Sequence, residues 1–182
     1  MKKLILIGGD LASGKSTYSN ILKDKFNILV INKDRLKEIL GDHILVNNRD
    51  ENKKLSVISF DLMKYILNQN NNVLVLESNF KSYEMEQLNT ITKNLGYDVL
   101  SLVFKGDIKV LHERFNKRLN ENRHYVHKSQ DFTNIKDFEI TLNELRTVNY
   151  IGKVINVDST TFDYQNDMFL LERIRKFIYE NN

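Results

Sequence analysis

Neither cysteine nor proline occurs anywhere in this 182-residue chain. Without cysteine a disulfide framework, a zinc knuckle and a thiolate nucleophile are all excluded, and a reducing compartment is the natural setting. The missing proline, beside many Asn, Lys and Ile, reads as genomic base composition. No apolar run approaches the roughly 20 residues that span a bilayer. The opening MKKLILIGGDLAS imitates a secretory leader, but Asp10 interrupts its apolar run, which falls short of the roughly 7 to 15 residues required. A soluble cytoplasmic protein is therefore expected. Charge of one sign is also lacking: 27 Lys and Arg against 24 Asp and Glu leave a net +3, too little to argue for a nucleic-acid partner. Glycine is scarce as well, yet three of the seven glycines stand at positions 8, 9 and 14.

A hydrophobic content of 41% is enough for one sizeable core, and the length suits one domain over residues 1–182. Short β-type runs recur at 3–8 (KLILIG), 28–32 (ILVIN), 72–77 (NVLVLE), 99–104 (VLSLVF) and 153–158 (KVINVD). Near-continuous apolar strands of this kind are buried on both faces, as a parallel sheet requires. Between them helical spacing puts Tyr18, Ile21, Leu22 and Phe26 on one face. Leu55, Ile58, Leu62 and Ile66 share another, as do Met85, Leu88, Ile91 and Leu95, and Leu170, Ile174, Phe177 and Ile178 predict a closing helix. Residues 107–148 read as helices around a polar, basic joint near 120–131. The class is α/β with a five-stranded parallel sheet.

The clustered glycines now have a meaning. Gly9, Gly14, Lys15 and Ser16 satisfy G-x-x-x-x-G-K-[ST] between a predicted strand and a predicted helix, the context that marks a P-loop. Glycines let the backbone curl so that successive N–H groups converge on phosphate oxygens, and the helix N-terminus adds its positive end. Residues Gly9, Asp10, Leu11, Ala12, Ser13, Gly14, Lys15, Ser16 and Thr17 are thus expected to hold ATP. Lys15 would reach the β- and γ-phosphates, Ser16 would ligate Mg²⁺, and Thr17 would sit near the α-phosphate.

In an open parallel sheet the ligand gathers at the carboxyl ends of the strands. The second strand leads to NKDRLKEIL, with Asp34, Arg35 and Lys37 at its mouth. The third ends in Glu77, Ser78 and Asn79. A carboxylate closing an apolar strand is costly unless paired or near a metal, which points Glu77 toward Mg²⁺. After the fourth, HERFNKRLNENRHYVH sets Arg114 and Arg118 four residues apart on one helical face. His124 and His127 lack a third ligand and read as loop residues, and Asp158 reads as a strand end. Asp34 could also cap the helix that follows it.

This order of motifs, MKKLILIGG, SGKST, INKDRLKEIL, VLVLESNF and VFKGDIKVLHERFNKR, resembles the small AAA-type P-loop kinases. It is most similar to the 5′-kinase domain of phage polynucleotide kinase, and less so to zeta toxins and chloramphenicol phosphotransferase. The resemblance implies a P-loop NTPase three-layer sandwich with helices on both sheet faces and a helical lid near residues 107–130. It implies that Asp34 activates the acceptor hydroxyl and that Arg118 contacts the transferring phosphate, with Arg114 on the nucleotide. Arg35, Lys37, Asn79 and Arg123 would face the acceptor, and Glu77, Ser78 and Asn79 would replace an Asp-Thr-Asn triplet. The arginine expected three positions after the base is Lys37 here, which lacks the bidentate fork that suits a nucleic-acid phosphate.

The expected activity is transfer of the γ-phosphate of ATP·Mg²⁺ to a hydroxyl. A P-loop ATPase or nucleotide-binding regulator without an acceptor is the alternative. A GTPase does not fit, because Asp34 follows Lys33 directly and the guanine-reading N-K-x-D is absent there. Among acceptors, Lys37 and the mild net charge favour a small molecule over a polynucleotide 5′-end. The segment with Lys105, Lys109, Arg114, Lys117, Arg118, Arg123 and Lys128 against Asp107, Glu113 and Glu121 keeps nucleic acid open as a substrate.

Overall fold

The computed structural model describes residues 2–119, 123–127, 132 and 134–180. Five parallel strands, β1 (Lys2–Gly9), β2 (Leu29–Asn32), β3 (Val73–Glu77), β4 (Tyr97–Lys105) and β5 (Lys153–Asp158), form one sheet in the order β2-β3-β1-β4-β5. The helices are α1 (Lys15–Phe26), α2 (Lys33–His43), α3 (Arg49–Gln69), α4 (Ser82–Leu95), α5 (Ile108–Leu119), α6 (Ile135–Arg146) and α7 (Met168–Tyr179). Single 3₁₀ turns stand at Tyr125–His127 and Asp163–Asn166. This is the α/β sandwich expected. No helix among the described residues is long and apolar enough to cross a membrane.

The strand order follows from burial. Leu4, Ile5, Leu6 and Ile7 are all 0% exposed, so β1 must have a strand on each side and a helical layer on each face. It pairs with β3 through Lys3↔Val73 to Ile7↔Glu77, and with β4 from Lys2↔Tyr97 to Gly9↔Phe104. One face packs on α1 and α7, with Tyr18, Leu22, Leu170, Ile174, Phe177 and Ile178. The opposite face packs on α3 and α4, with Phe60, Met63, Leu67, Met85 and Leu88. After β3 the chain crosses β1 to reach β4, so the strand order reverses at the end of β1, where ligands bind in such sheets.

Two expectations change. The two edge strands are not buried on both faces: in β5, Val154, Asn156 and Asp158 are exposed while Ile155 and Val157 enter the core. On α3 the buried face is Asn52, Leu55, Ser59, Phe60, Met63 and Leu67, leaving Ile58 and Leu62 largely outside. The helix carries apolar residues on more than one face, and the sheet selects which of them it covers.

A buried ion pair ties two helices at the carboxyl end of the sheet. Lys33, the first residue of α2, donates to Glu84 Oε1 of α4 at 2.5 Å and lies over the Phe60 ring. Glu84 is fully buried and also accepts from the Lys81 N–H. Removing one member of such a pair strands the other charge. Glu84→Ala is expected to lose about 3 kcal/mol or more of unfolding free energy, measured by urea denaturation.

Candidate active site

The loop between β1 and α1 is anchored at its first turn. The Asp10 N–H donates to the Phe104 carbonyl at 2.8 Å, extending the β1–β4 ladder by one bond. Its carboxylate, 0% exposed, accepts from Arg146 Nη2 at 2.5 Å and from the Gly106 N–H at 3.1 Å. Asp10, expected to touch ATP, therefore offers neither its side chain nor its amide to a ligand; both are spent holding the loop. Gly9 has φ 112°, and a Cβ there would run into the Phe104 backbone. Beyond this anchor the backbone curls through positive φ at Ala12 (56°) and Gly14 (81°). Among the described residues no carbonyl accepts from the N–H groups of residues 11–14, and α1 has no side-chain N-cap. Together with the first turn of α1, they form a cradle of donors with no acceptor among the described residues.

Lys15 folds into this cradle. Its ammonium donates to the Asp10 carbonyl and lies 3.4 Å from the Gly9 carbonyl and 3.3 Å from Ser13 Oγ. Burial pushes its pKa down to about 8, although Glu77, Asp34 and Asp10 pull the other way; Arg118 adds to the depression. A buried cation beside N–H groups that have no acceptor among the described residues is suited to hold an anion.

Below the loop lies a knot of oxygens. Ser16 Oγ donates to Glu77 Oε1 and Ser19 Oγ to Glu77 Oε2, both at 2.6 Å, and Asn32 Nδ2 is 3.4 Å from Ser16 Oγ. Glu77 is 3% exposed. Among the described residues no group of three or more His, Cys, Asp and Glu could hold a metal. One hydroxyl and one carboxylate beside a phosphate cradle is nevertheless the donor set Mg²⁺ prefers, with phosphates and water completing it.

On the acceptor side Asp34 is exposed in the first turn of α2, and the cap of that helix is Asn32, whose Oδ1 accepts from the Arg35 N–H at 2.9 Å. The capping reading of Asp34 thus passes to its neighbour. Asp34 lies within electrostatic reach of Lys15, Lys37 and His127. Lys37 is half-buried, its pKa lowered by burial against the pull of Asp34, with the Val126 carbonyl 3.5 Å away. Asn79 keeps a buried Oδ1 with no partner. Arg35 turns outward and pairs with Glu38.

A profile of the AAA domain family matches residues 4–137, from the P-loop strand to the start of α6. The chain belongs to the AAA domain family. Among solved structures, this AAA domain superposes on a presumptive kinase from Chloroflexus aurantiacus with TM-score 0.80 at 22% identity, covering 97% of this chain and 98% of that one. The tunicamycin resistance protein of Deinococcus radiodurans gives 0.62 at 17% identity, over 100% and 98% of the two chains. Shikimate kinase from Bacteroides thetaiotaomicron gives 0.61 at 14% identity, over 96% and 97%. The fold is that of the small P-loop kinases. No curated protein matches the sequence significantly.

The segment expected to form a lid begins with α5, which packs with α6 through Leu111, Phe115, Phe138 and Leu142 onto Leu11 and Ala12 of the loop. Arg114 does not stand free: it donates to the carbonyls of Ser159 at 2.6 Å and Thr160 at 2.8 Å, and lies 4.0 Å from the Phe162 ring. Its role is to shape the β5 exit. Arg118 is exposed in the last turn of α5 and electrostatically felt at Lys15. Arg123 lies over Phe115 at 5.9 Å. Of the expected lid, residues 120–122 and 128–130, with Glu121 and Lys128, lie outside the described residues.

Residues 123–127 form a strap along α2. Tyr125 Oη donates to the Gly41 carbonyl at 2.5 Å, Asn52 Nδ2 to the Val126 carbonyl at 2.8 Å, His124 Nε2 meets Asp42 at 3.0 Å and His127 Nε2 meets Glu38 at 3.1 Å. Sequence reasoning left both histidines as loop residues and missed Arg146, Ser19 and the strap. The only available signal was spacing: Ser16 and Ser19 share a helical face, as do Asp34, Lys37, Glu38, Gly41 and Asp42.

The Lys15 pKa sets a sign for binding. Bound phosphate favours the ammonium form, so nucleotide affinity should be flat below pH about 8. Above it affinity should fall with rising pH as binding has to recruit a proton. Calorimetric titration with ADP across pH 6.5 to 9.5 checks this. In the empty protein the burial cost runs the other way. A lysine whose folded pKa lies below its unfolded one lowers stability most fully under pH 8 and releases that cost between 8 and 10.5. Lys15→Met should therefore raise the melting temperature at pH 7 while abolishing nucleotide binding.

Proposed function

We propose that the protein is a kinase that moves the γ-phosphate of ATP to a hydroxyl of a small molecule, with Asp34 as the base. The observation that carries this is the state of Asp34: exposed, relieved of capping by Asn32, and within electrostatic reach of the P-loop lysine. A carboxylate left uncommitted there is placed to take a proton from an alcohol aligned with the γ-phosphate.

The reaction has one bond made and one broken. The acceptor oxygen bonds to the γ-phosphorus as the bond to the ADP oxygen breaks, and the hydroxyl proton passes to Asp34. Lys15 meets the charge on the phosphates, the N–H groups of residues 11–14 hold the chain of phosphates in line, and Arg118 reaches the transferring group from the lid. Ser16 and Glu77 would hold Mg²⁺, which when bound neutralises charge across the β- and γ-phosphates. Leu11 and Ala12, covered by α5 and α6, keep water from one side of the loop.

The small size of the acceptor is supported by the strap. It lies along the same face of α2 as Asp34, over Lys37, Glu38, Gly41 and Asp42, and bounds the acceptor space one turn beyond the base. Lys37 and the orphaned Asn79 Oδ1 offer an ammonium and a hydrogen-bond acceptor to a polar molecule there. A polynucleotide 5′-end is the second reading, favoured by Lys81 lying within electrostatic reach of Lys37, which Asp34 also reaches.

The test is phosphate transfer from labelled ATP to a panel of nucleosides, sugars, phenicol- or aminoglycoside-type alcohols and 5′-hydroxyl oligonucleotides. A small-molecule product with a KM indifferent to salt is expected. An oligonucleotide product whose affinity falls with salt, at a log–log slope of roughly −0.7 per phosphate neutralised, supports the second reading. Phosphate release with no phosphorylated acceptor would instead favour an ATPase. With a productive acceptor, Asp34→Asn should lower kcat by about 10² to 10⁴ with ATP binding unchanged.

A further inference from the structure

We infer that Ser19 is a positioning residue for the cation site, acting through Glu77, and that the site is a three-residue device of Ser16, Glu77 and Ser19. This rests on the reading that the loop takes a metal-bound nucleotide. Ser16 and Glu77 were legible from the motif and the strand end. Ser19 is not part of the P-loop motif and has no reason to be polar from packing, since it is 2% exposed on the buried face of α1.

The physical argument is about protons. The Ser16 hydroxyl has one proton and two lone pairs, and it can present a lone pair to a cation only if its proton points elsewhere. Glu77 Oε1, at 2.6 Å, takes that proton. Glu77 can do so reliably only if its carboxylate is fixed, and its second oxygen has a single donor among the described residues, the Ser19 hydroxyl at 2.6 Å. Ser19 has a choice of acceptors, because the Ser16 carbonyl lies 3.0 Å away. The charged oxygen is both closer and the stronger acceptor, so the proton belongs to Glu77. A serine three residues after Ser16 occupies the same helical face one turn on, so the two hydroxyls grip the two ends of one carboxylate.

Register locks the geometry from the other side. Glu77 is paired with Ile7 in β1 and with Asn32 in β2, so its backbone cannot shift, and only rotation of the side chain is left to control. Without the Ser19 hydroxyl, Oε2 would be a buried oxygen with no donor. The carboxylate would then turn to share the Ser16 proton or reach for water, and the Ser16 lone pair would lose its fixed direction. Outer partners that orient a ligand typically contribute 10- to 100-fold in metal affinity.

The test uses Mn²⁺ with a non-hydrolysable ATP analogue, read by electron paramagnetic resonance, and the same analogue with EDTA, read by calorimetry. Ser19→Ala should weaken Mn²⁺ binding to the protein–nucleotide complex by about tenfold or more while leaving the metal-free nucleotide affinity within twofold of wild type. Glu77→Gln should weaken Mn²⁺ binding too, and adding Ser19→Ala to it should cost less than a further twofold, because the two act as one unit. Independent, multiplicative losses in the double variant would overturn the inference. So would unchanged Mn²⁺ affinity in Ser19→Ala, or an equal loss of metal-free nucleotide binding, either of which makes Ser19 scaffold alone. Failure of the wild-type protein to bind the analogue with or without Mn²⁺ would instead remove the nucleotide reading beneath it. Far-ultraviolet circular dichroism and melting temperature confirm that each variant is folded.

Discussion

The site depends on how Asp10 is caught. Its N–H closes the last bond of the β1–β4 ladder and its buried carboxylate is held by Arg146 and the Gly106 N–H. With that residue immobile, the chain can turn through Ala12 and Gly14 without finding partners for the amides between. Arg146 also donates to the Gly106 carbonyl at 2.7 Å, so the start of the loop, the exit of β4 and the end of α6 move as one piece. Tyr164 braces the far side, its hydroxyl 3.3 Å from the Ser13 carbonyl.

Charge around this frame is divided between cations that are satisfied and cations that are not. Lys33 is buried against Glu84 and serves the fold. Lys15 and Lys37 are held in partly or fully buried positions where the ammonium form is disfavoured. Burial outweighs the opposite pull of Asp34 at both lysines, and of Glu77 and Asp10 at Lys15.

Substrate ends are bounded by different means. On the nucleotide side Arg114 pins the chain after β5 and lies against Phe162, building an exit from backbone carbonyls and a ring. Beside Asp34 the strap at 123–127 is bonded to α2 and α3 through Tyr125, His124, His127 and Asn52. Burial holds the His127 imidazole below its usual pKa, which favours the neutral ring against Glu38 near neutral pH.

Strands, their parallel arrangement and the phosphate cradle were legible in the order of residues, because each rests on local chemistry. Four consecutive apolar residues running into Gly8 and Gly9 demand a buried strand and a tight turn, and a following G-K-S opens a helix whose N–H groups face outward. Asp34 and Glu77 were legible as residues at strand ends, since every parallel strand delivers its carboxyl end to one edge of the sheet. What only the tertiary structure decided is which partner each of these groups meets. Asp10 reads as part of a nucleotide loop until Arg146, 136 residues away, takes its carboxylate. Ile58 and Leu62 share a helical spacing with Leu55, yet the sheet covers a different face of α3. Asn32 rather than Asp34 caps α2, and Ser19 gains its meaning from Glu77 on another strand. Spacing along the chain specifies direction on a helix or strand; hydrogen bonding across the fold depends on distances in space that no local pattern encodes.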